Sequence, residues 1–353
     1  MPSRPPLTRF LAHAALLLGG LSASLLLVEG AVRLIEPSDN VRITASIDIF
    51  APHPRRGFTL RPMAQRSTYW NGDLIHILVN DRGRRIPRDP DFVELQGREQ
   101  WVFCGDSFTF GNEINAADAF VYQLRRRIDR DTVNLGIAGY STFQALDALR
   151  EFVAGPDAGT IERVVLVFFL GNDFLDNTQP KERTGVDAQG RQQVARHGPT
   201  ETLRGLVYKS RALSFIVLRS RTLYLNAKYW ITGSIYPHLY SEAFYTPELI
   251  GATRQALDQF KTYCATQGLD LTIVALPDKD QVYRGFVDEG QRLRPTQTLT
   301  ALLDELSIDY LDMLPVFRAA QEGPLFNMTP AGHLSVRGHQ LVAQTLAQHL
   351  APR

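Results

Sequence analysis

Apolar residues in this chain come in short runs, and between the runs they recur at helical spacing. Residues 101–104 (WVFC), 164–170 (VVLVFFL) and 271–276 (LTIVAL) have the length and apolar character of buried strands. Another strand is predicted to lead into 133–142 (VNLGIAGYST), and a short one to lie at 309–311. Helical spacing predicts a helix over about 117–129, with Phe120, Val121, Leu124 and Ile128 on one face. Further helices are expected over about 143–153, 247–267, 296–306 and 336–350. Strands alternating with helices predict an α/β fold, a mostly parallel sheet covered on both faces.

Two stretches depart from this rhythm. Residues 10–28 (FLAHAALLLGGLSASLLLV) are almost continuously apolar and long enough to cross a hydrocarbon layer as one helix. Arg4 and Arg9 precede them with no acidic residue between, which keeps the amino terminus cytoplasmic and sends the rest of the chain outward. That reading is a single-pass anchor in the inner membrane, with the larger part facing the periplasm or exterior. The alternative is a signal peptide whose cleavage secretes the remainder. Apolar residues 25–28 continue past the small residues 22–24, which favours the anchor, and no cysteine lies nearby for a lipoprotein linkage. The second departure is 177–200, polar and aperiodic, followed by a Leu-, Tyr- and Trp-rich stretch to about 245. A long loop leaving a strand end is expected to act as a lid, with helices within 203–245 capping it.

The domain organisation that follows has three parts. Residues 1–36 form the cytoplasmic end and membrane helix, which Pro37 stops. Residues 37–99, interrupted by Pro52, Pro54, Pro62, Pro87 and Pro90, are expected to be irregular with a few edge strands, the best at 74–79. Arginines between 82 and 88 read as a solvated loop. Residues 100–353 form the α/β domain, with the lid or insert at about 177–245.

Composition narrows the chemistry. The chain has 353 residues, 44% of them hydrophobic and 21% charged, so a substantial core is available. A formal net charge of +1 gives no electrostatic reason to expect nucleic acid. No Gly-rich phosphate loop is present, and the only two cysteines, Cys104 and Cys264, make neither a disulfide framework nor a cysteine zinc site. Neither a cofactor nor a metal is expected.

Candidate catalytic residues stand just past the predicted strands. Gly105, Asp106 and Ser107 follow the first strand, Gly139 the second, and Asn172 the third. In open α/β sheets that end of the strands forms the crevice where ligands bind. A serine there can act as a nucleophile. His333, in a Pro- and Gly-rich loop (TPAGHLS) before the last helix, can reach the same crevice. His339 lies inside that helix and is expected to pack or face solvent, while His238 and His349 read as surface histidines.

Together, Gly105–Asp106–Ser107, Gly139 within NLGIAG, Asn172 within LGND and His333 resemble the four blocks of the SGNH (GDSL-type) hydrolase family, in order, from about Val79 to Arg353. The stretches VNDRGRR, GYSTFQ, GNDFLDN and AGHLSVRGHQLVAQ are similar to its membrane-anchored bacterial branch. The resemblance implies a flavodoxin-like three-layer sandwich around a five-stranded parallel sheet. It also implies Ser107 as nucleophile and His333 as general base. The backbone N–H groups of Ser107 and Gly139 and the Asn172 carboxamide would form the oxyanion hole. Asp106 is expected to order the turn. One departure stands out: the aspartate usual just before the family's histidine is absent, because Pro330 and Ala331 occupy those positions. A backbone carbonyl, or a carboxylate such as Asp312, is expected to orient His333 instead. The activity implied is a serine esterase of the cell envelope, removing acyl groups, acetyl among them, from a glycan or lipid. The alternatives are an O-acyltransferase (or its accessory) using the same acyl-enzyme, and a degenerate glycan-binding module.

Overall fold

The computed structural model describes residues 6–35, 49–70, 73–95, 97–178, 184–186, 192–194, 210, 213, 220, 223–224, 227, 231, 237–283, 288–320, 323–327 and 332–350. The chain divides into two units, one of Met1–Ala45 with Arg196–Tyr224, the other of Ser46–Ala195 with Leu225–Arg353. In the first unit, helix α1 (Pro6–Ile35) contains the apolar span Arg9–Ala31, with mean hydropathy 2.0 and none of it buried. It is long and apolar enough to cross a membrane, and a signal sequence has the same properties. Ser210 Oγ donates to Glu29 Oε2 (2.8 Å) within this unit.

The second unit opens with five short strands: β1 (Phe50–His53), β2 (Gly57–Leu60), β3 (Gln65–Trp70), β4 (Asp73–Val79) and β5 (Arg85–Ile86). The first two form an antiparallel pair and the other three an antiparallel sheet. The remaining elements alternate. They are β6 (Gln100–Cys104), α2 (Ser107–Phe110), α3 (Phe120–Arg125), β7 (Asp131–Asn134), α4 (Thr142–Val153), β8 (Ile161–Phe169), α5 (Asp173–Asp176), β9 (Thr184–Val186), β10 (Gln192–Val194), α6 (Pro247–Thr266), β11 (Asp270–Leu276), α7 (Lys279–Val282), α8 (Glu289–Glu305), β12 (Asp309–Asp312), α9 (Leu314–Ala319) and α10 (Val336–Leu350).

Five strands make one parallel sheet in the order β12–β11–β8–β6–β7. Period-two alternation along each strand divides its side chains between two layers. Val102, Cys104, Val164, Leu166, Ile273 and Ala275 point to the face covered by α4, α6 and α8. Trp101, Phe103, Val165, Val167, Val274 and Leu276 point to the face covered by α3, α9 and α10. Burying each such side chain contributes roughly 1.5–3 kcal/mol, so both faces are committed and the α/β three-layer fold follows. Helix α10 shows the same logic at helical period: His339, Val342, Ala343, Leu346 and Leu350 are buried on one stripe.

Several elements differ from expectation. The helix foreseen at 117–129 is a 3₁₀ turn (Ala116–Asp118) followed by α3, because Ala119 between them is extended (φ −66°, ψ 142°). Helix α8 begins well before 296: Asp288 caps it by accepting from Gly290 N–H, and Pro295 is carried inside. Within the stretch read as aperiodic, β9 and β10 pair antiparallel. The rest of the lid read over 177–200, and most of the helices read within 203–245, lie outside the described residues. The arginines of 82–88 are not all solvated. Arg84 is held by Glu94 and Asp157, and Arg85 is 1% exposed.

The strands before β6 bear directly on the sheet's carboxyl end. Phe50, Phe58, Leu60, Ile75, Ile77 and Val79 pack with Phe110, at the end of α2, and with Ile137 and Tyr140 of the loop that follows β7. Tyr140 Oη donates to the Phe58 carbonyl (2.7 Å), and Gln144 Nε2 to that of Arg56 (2.7 Å).

Candidate active site

Strand β6 ends at Cys104, and the chain turns through Gly105 at φ +150°. A Cβ there would lie 2.9 Å from the Val167 carbonyl of β8, so only glycine fits. Asp106 then caps α2, its Oδ1 accepting from Phe108 N–H (2.9 Å), which makes it the turn-ordering residue foreseen. Ser107, first in that one-turn helix, is half-buried and faces His333.

His333 arrives from 226 residues away, and its Nε2 lies 3.0 Å from Ser107 Oγ. Its position is held from several sides. Asn327 N–H donates to the His333 carbonyl (2.8 Å), Phe326 and Leu334 pair as an antiparallel bridge, and the Phe108 ring lies 5.0 Å from the imidazole centroid. Phe108 in turn stacks on Phe169 at 3.8 Å.

The other ring nitrogen meets a carboxylate that sequence reasoning missed. His333 Nδ1 lies 2.9 Å from Glu113 Oε1, and the Glu113 side chain is 0% exposed. Glu113 Oε2 accepts from Asn327 Nδ2 (3.1 Å). Neither a backbone carbonyl nor Asp312 takes this place; Asp312 Oδ1 accepts from Leu314 N–H (2.9 Å) at the end of β12. An ionised carboxylate only accepts, so Nδ1 carries the proton, Nε2 presents its lone pair, and Ser107 Oγ–H donates to it. Glu113 stands at φ +68°, a left-handed conformation rare outside glycine. It follows α2 by a turn that Gly111 opens at φ +82°. Its sequence signal was a carboxylate six residues past the serine, which no spacing rule separates from Asp106 or Asp312.

Gly139 lies in the β7–α4 loop at φ +84°, exposed at the same end of the sheet. Asn172 precedes α5 at the end of β8; its carboxamide donates to Asp176 (2.5 Å) and is near enough to Asp106 to favour that carboxyl's charged form. The structure thus brings Asn172 beside the residue that precedes Ser107. His339 is buried, accepts from Phe120 N–H (3.1 Å), and is driven down to about 3 by burial and by the Arg85 charge. It is a neutral packing residue. His238 and His349 are exposed. Among the described residues, no three His, Cys, Asp or Glu side chains are grouped to hold a metal ion.

Behind Asn172 three carboxyls share buried space. Burial pushes Asp106 up, offset chiefly by its bond from Phe108 N–H. Burial, with the charges of Asp106 and Asp176, pushes Asp173 well up; its Oδ2 accepts from Phe169 N–H (2.9 Å). Asp176 is pushed up to about 7, chiefly by burial. Since that folded value exceeds the ordinary 3.8, the native state binds more protons between about 4 and about 7, and stability falls as pH rises through that window. Asp176→Asn keeps an acceptor for Asn172 and removes the titration. At about 1.4 kcal/mol per pH unit, wild type should lose about 2–3 kcal/mol more than the variant between about pH 5 and about pH 8. Tm measured against pH for both proteins checks this, and parallel curves would refute it.

Comparison with known proteins adds the following. Residues 103–341 match the family model described as GDSL-like lipase/acylhydrolase. A search of curated proteins finds no match. Similar solved structures include a member of the lipolytic G-D-S-L family from Veillonella parvula, at 14% identity over 72% of this chain and 100% of that one, with TM-score 0.39. A catalytic mutant of an acetylxylan esterase from Geobacillus stearothermophilus shares 11% identity over 74% and 98%, with TM-score 0.39. A lipase/acylhydrolase from Enterococcus faecalis shares 12% over 72% and 98%, with TM-score 0.38.

Proposed function

Because the chain belongs to the GDSL-like lipase/acylhydrolase family and is an ester hydrolase of the SGNH type, we propose that its reaction runs through an acyl-Ser107 intermediate driven by His333 and Glu113. The observation carrying this reading is the continuous chain Ser107 Oγ, His333 Nε2, His333 Nδ1, Glu113 Oε1, with links of 3.0 and 2.9 Å. Ser107 Oγ attacks the ester carbonyl while His333 Nε2 takes its proton. Glu113 holds the imidazole in the reactive tautomer and stabilises the imidazolium as it forms. The oxyanion is received by the N–H groups of Ser107 and Gly139 and by the Asn172 carboxamide, whose other N–H is held by Asp176. His333 then protonates the leaving alkoxide, the alcohol departs, and water activated by the same imidazole hydrolyses the acyl-serine.

The substrate we propose is an acylated glycan or lipid of the cell envelope, with acetyl among the groups removed. Support comes from α1, whose continuously apolar residues 10–28 follow Arg4 and Arg9 and suit a single-pass inner-membrane anchor with the catalytic domain facing the periplasm or exterior. The carboxylate on His333 supports a working hydrolase over a non-catalytic glycan-binding module. Residues 1–36, 37–99 and 100–353 remain our proposed division of labour: anchor, site-supporting strands and hydrolase.

The test uses the full chain in detergent micelles with a chromogenic acetate ester and an organophosphonate probe. Hydrolysis with a single phosphonyl adduct on Ser107, located by peptide mass spectrometry, is expected. Turnover without that adduct would reject the serine mechanism. Release of acetate from an O-acetylated glycan, compared with release of fatty acid from a lipid ester, then identifies the substrate class.

A further inference from the structure

Arg85 is a fully buried cation without a carboxylate partner in its hydrogen-bond set. Its Nη1 donates to the carbonyls of Phe110 (2.9 Å) and Gly111 (2.5 Å), its Nη2 to those of Ile114 (2.6 Å) and His76 (3.5 Å). The guanidinium carbon lies 4.6 Å from the Phe110 ring centroid. Tyr122 Oη donates to the Arg85 carbonyl, which fixes the backbone that delivers the side chain. Burial lowers the guanidinium to about 10, so it stays charged at neutral pH.

Three of the four carbonyls belong to the segment between Phe110 and Ile114, and they bracket Glu113 on both sides. That bracket matters because Glu113 sits at φ +68°, a conformation costing roughly 1–3 kcal/mol for a residue other than glycine, which persists only where the surroundings impose it. A planar fork with fixed donors suits this task better than an ammonium, whose single point charge cannot span carbonyls three residues apart.

We propose that Arg85 is a positioning residue for the hydrolase: it clamps the Gly111–Ile114 turn so that the Glu113 carboxylate meets His333 Nδ1. This inference rests on Glu113 being the carboxylate of the triad. It gives the short antiparallel sheet before the hydrolase core a part in the site, since β5, paired to β4, carries Arg85.

A double-mutant cycle on the full chain in micelles tests it, using Arg85→Lys, Glu113→Gln and the pair, with the folded fraction of each taken from its thermal unfolding curve so that unfolded protein drops out. Arg85→Lys should lower kcat about 30-fold with KM nearly unchanged, because orientation of the base is lost and not substrate contact. In the Glu113→Gln background the same substitution should cost less than about threefold, since there is no carboxylate left to position; interacting residues are non-additive in this way. Equal losses in both backgrounds would overturn the clamp while leaving Glu113 in the triad. A Glu113→Gln enzyme as active as wild type would overturn the triad assignment and the clamp with it. Should Arg85→Lys fail to fold, Arg85→Gln, with two donors on a shorter neutral arm, takes its place in the cycle and the same outcomes apply.

Discussion

Ser107→Ala should lower kcat for a short-chain ester by about 10⁶-fold, to the level that binding and oxyanion stabilisation supply without a nucleophile. In the proposed mechanism, every step that distinguishes the enzyme from a crevice with hydrogen-bond donors passes through Ser107 Oγ, which makes the 3.0 Å link to His333 Nε2. His333→Ala should fall as far, and the double variant no further, because the two groups act as one unit. Stability should move little, since the serine is half-buried and its side-chain partners, His333 and Asp106, can turn to solvent or to other donors. Kinetics on protein purified free of host esterases, alongside Tm, check both halves. A variant within tenfold of wild type would mean that the family fold is present but the chemistry lies elsewhere.

Glu113→Gln should lower kcat by about 10⁴-fold, the scale seen when an orienting acid becomes an amide. The amide can present N–H where the carboxylate accepted, so the imidazole turns to the tautomer with its proton on Nε2. That nitrogen then cannot take the serine proton. KM should hold nearly constant, because Glu113 is enclosed and touches no substrate-facing surface. Asp312→Asn is the control, expected to leave kcat within about twofold, since Asp312 serves Leu314 N–H. The reverse outcome, with Asp312→Asn crippling and Glu113→Gln silent, would return the acid to the end of β12.

The residues that could be read in the sequence share one property: their neighbours along the chain determine where they go. Apolar runs fixed β6, β8 and β11, and a residue just past such a run must stand at the sheet's carboxyl end, so Ser107 and Asn172 were legible. His333 was legible because an amphipathic helix begins three residues later. Glu113 was not. Its direction is set by a one-turn helix too short to leave a periodic pattern and by a left-handed residue that no preference would assign to glutamate. Arg85 was hidden for a related reason. In sequence it belongs to a run of arginines, and only the carbonyls of a turn 25 to 29 residues away turn it from a solvated charge into an enclosed one. Two of the three carboxyls behind Asn172 lay in plain sight in GNDFLDN, yet their shared burial comes from packing, not from spacing.

Housing the proposed nucleophile and acid within residues 107–113 makes them a cassette. Their separation is measured by seven consecutive residues rather than by the assembly of distant elements, so only the imidazole has to be registered from across the chain. A transplant of residues 105–114 into a kindred scaffold would carry two of the three proposed triad groups at once. What the recipient must contribute is a histidine at the rim, the oxyanion donors that Gly139 and Asn172 supply here, and, on the clamp proposed above, an arginine underneath.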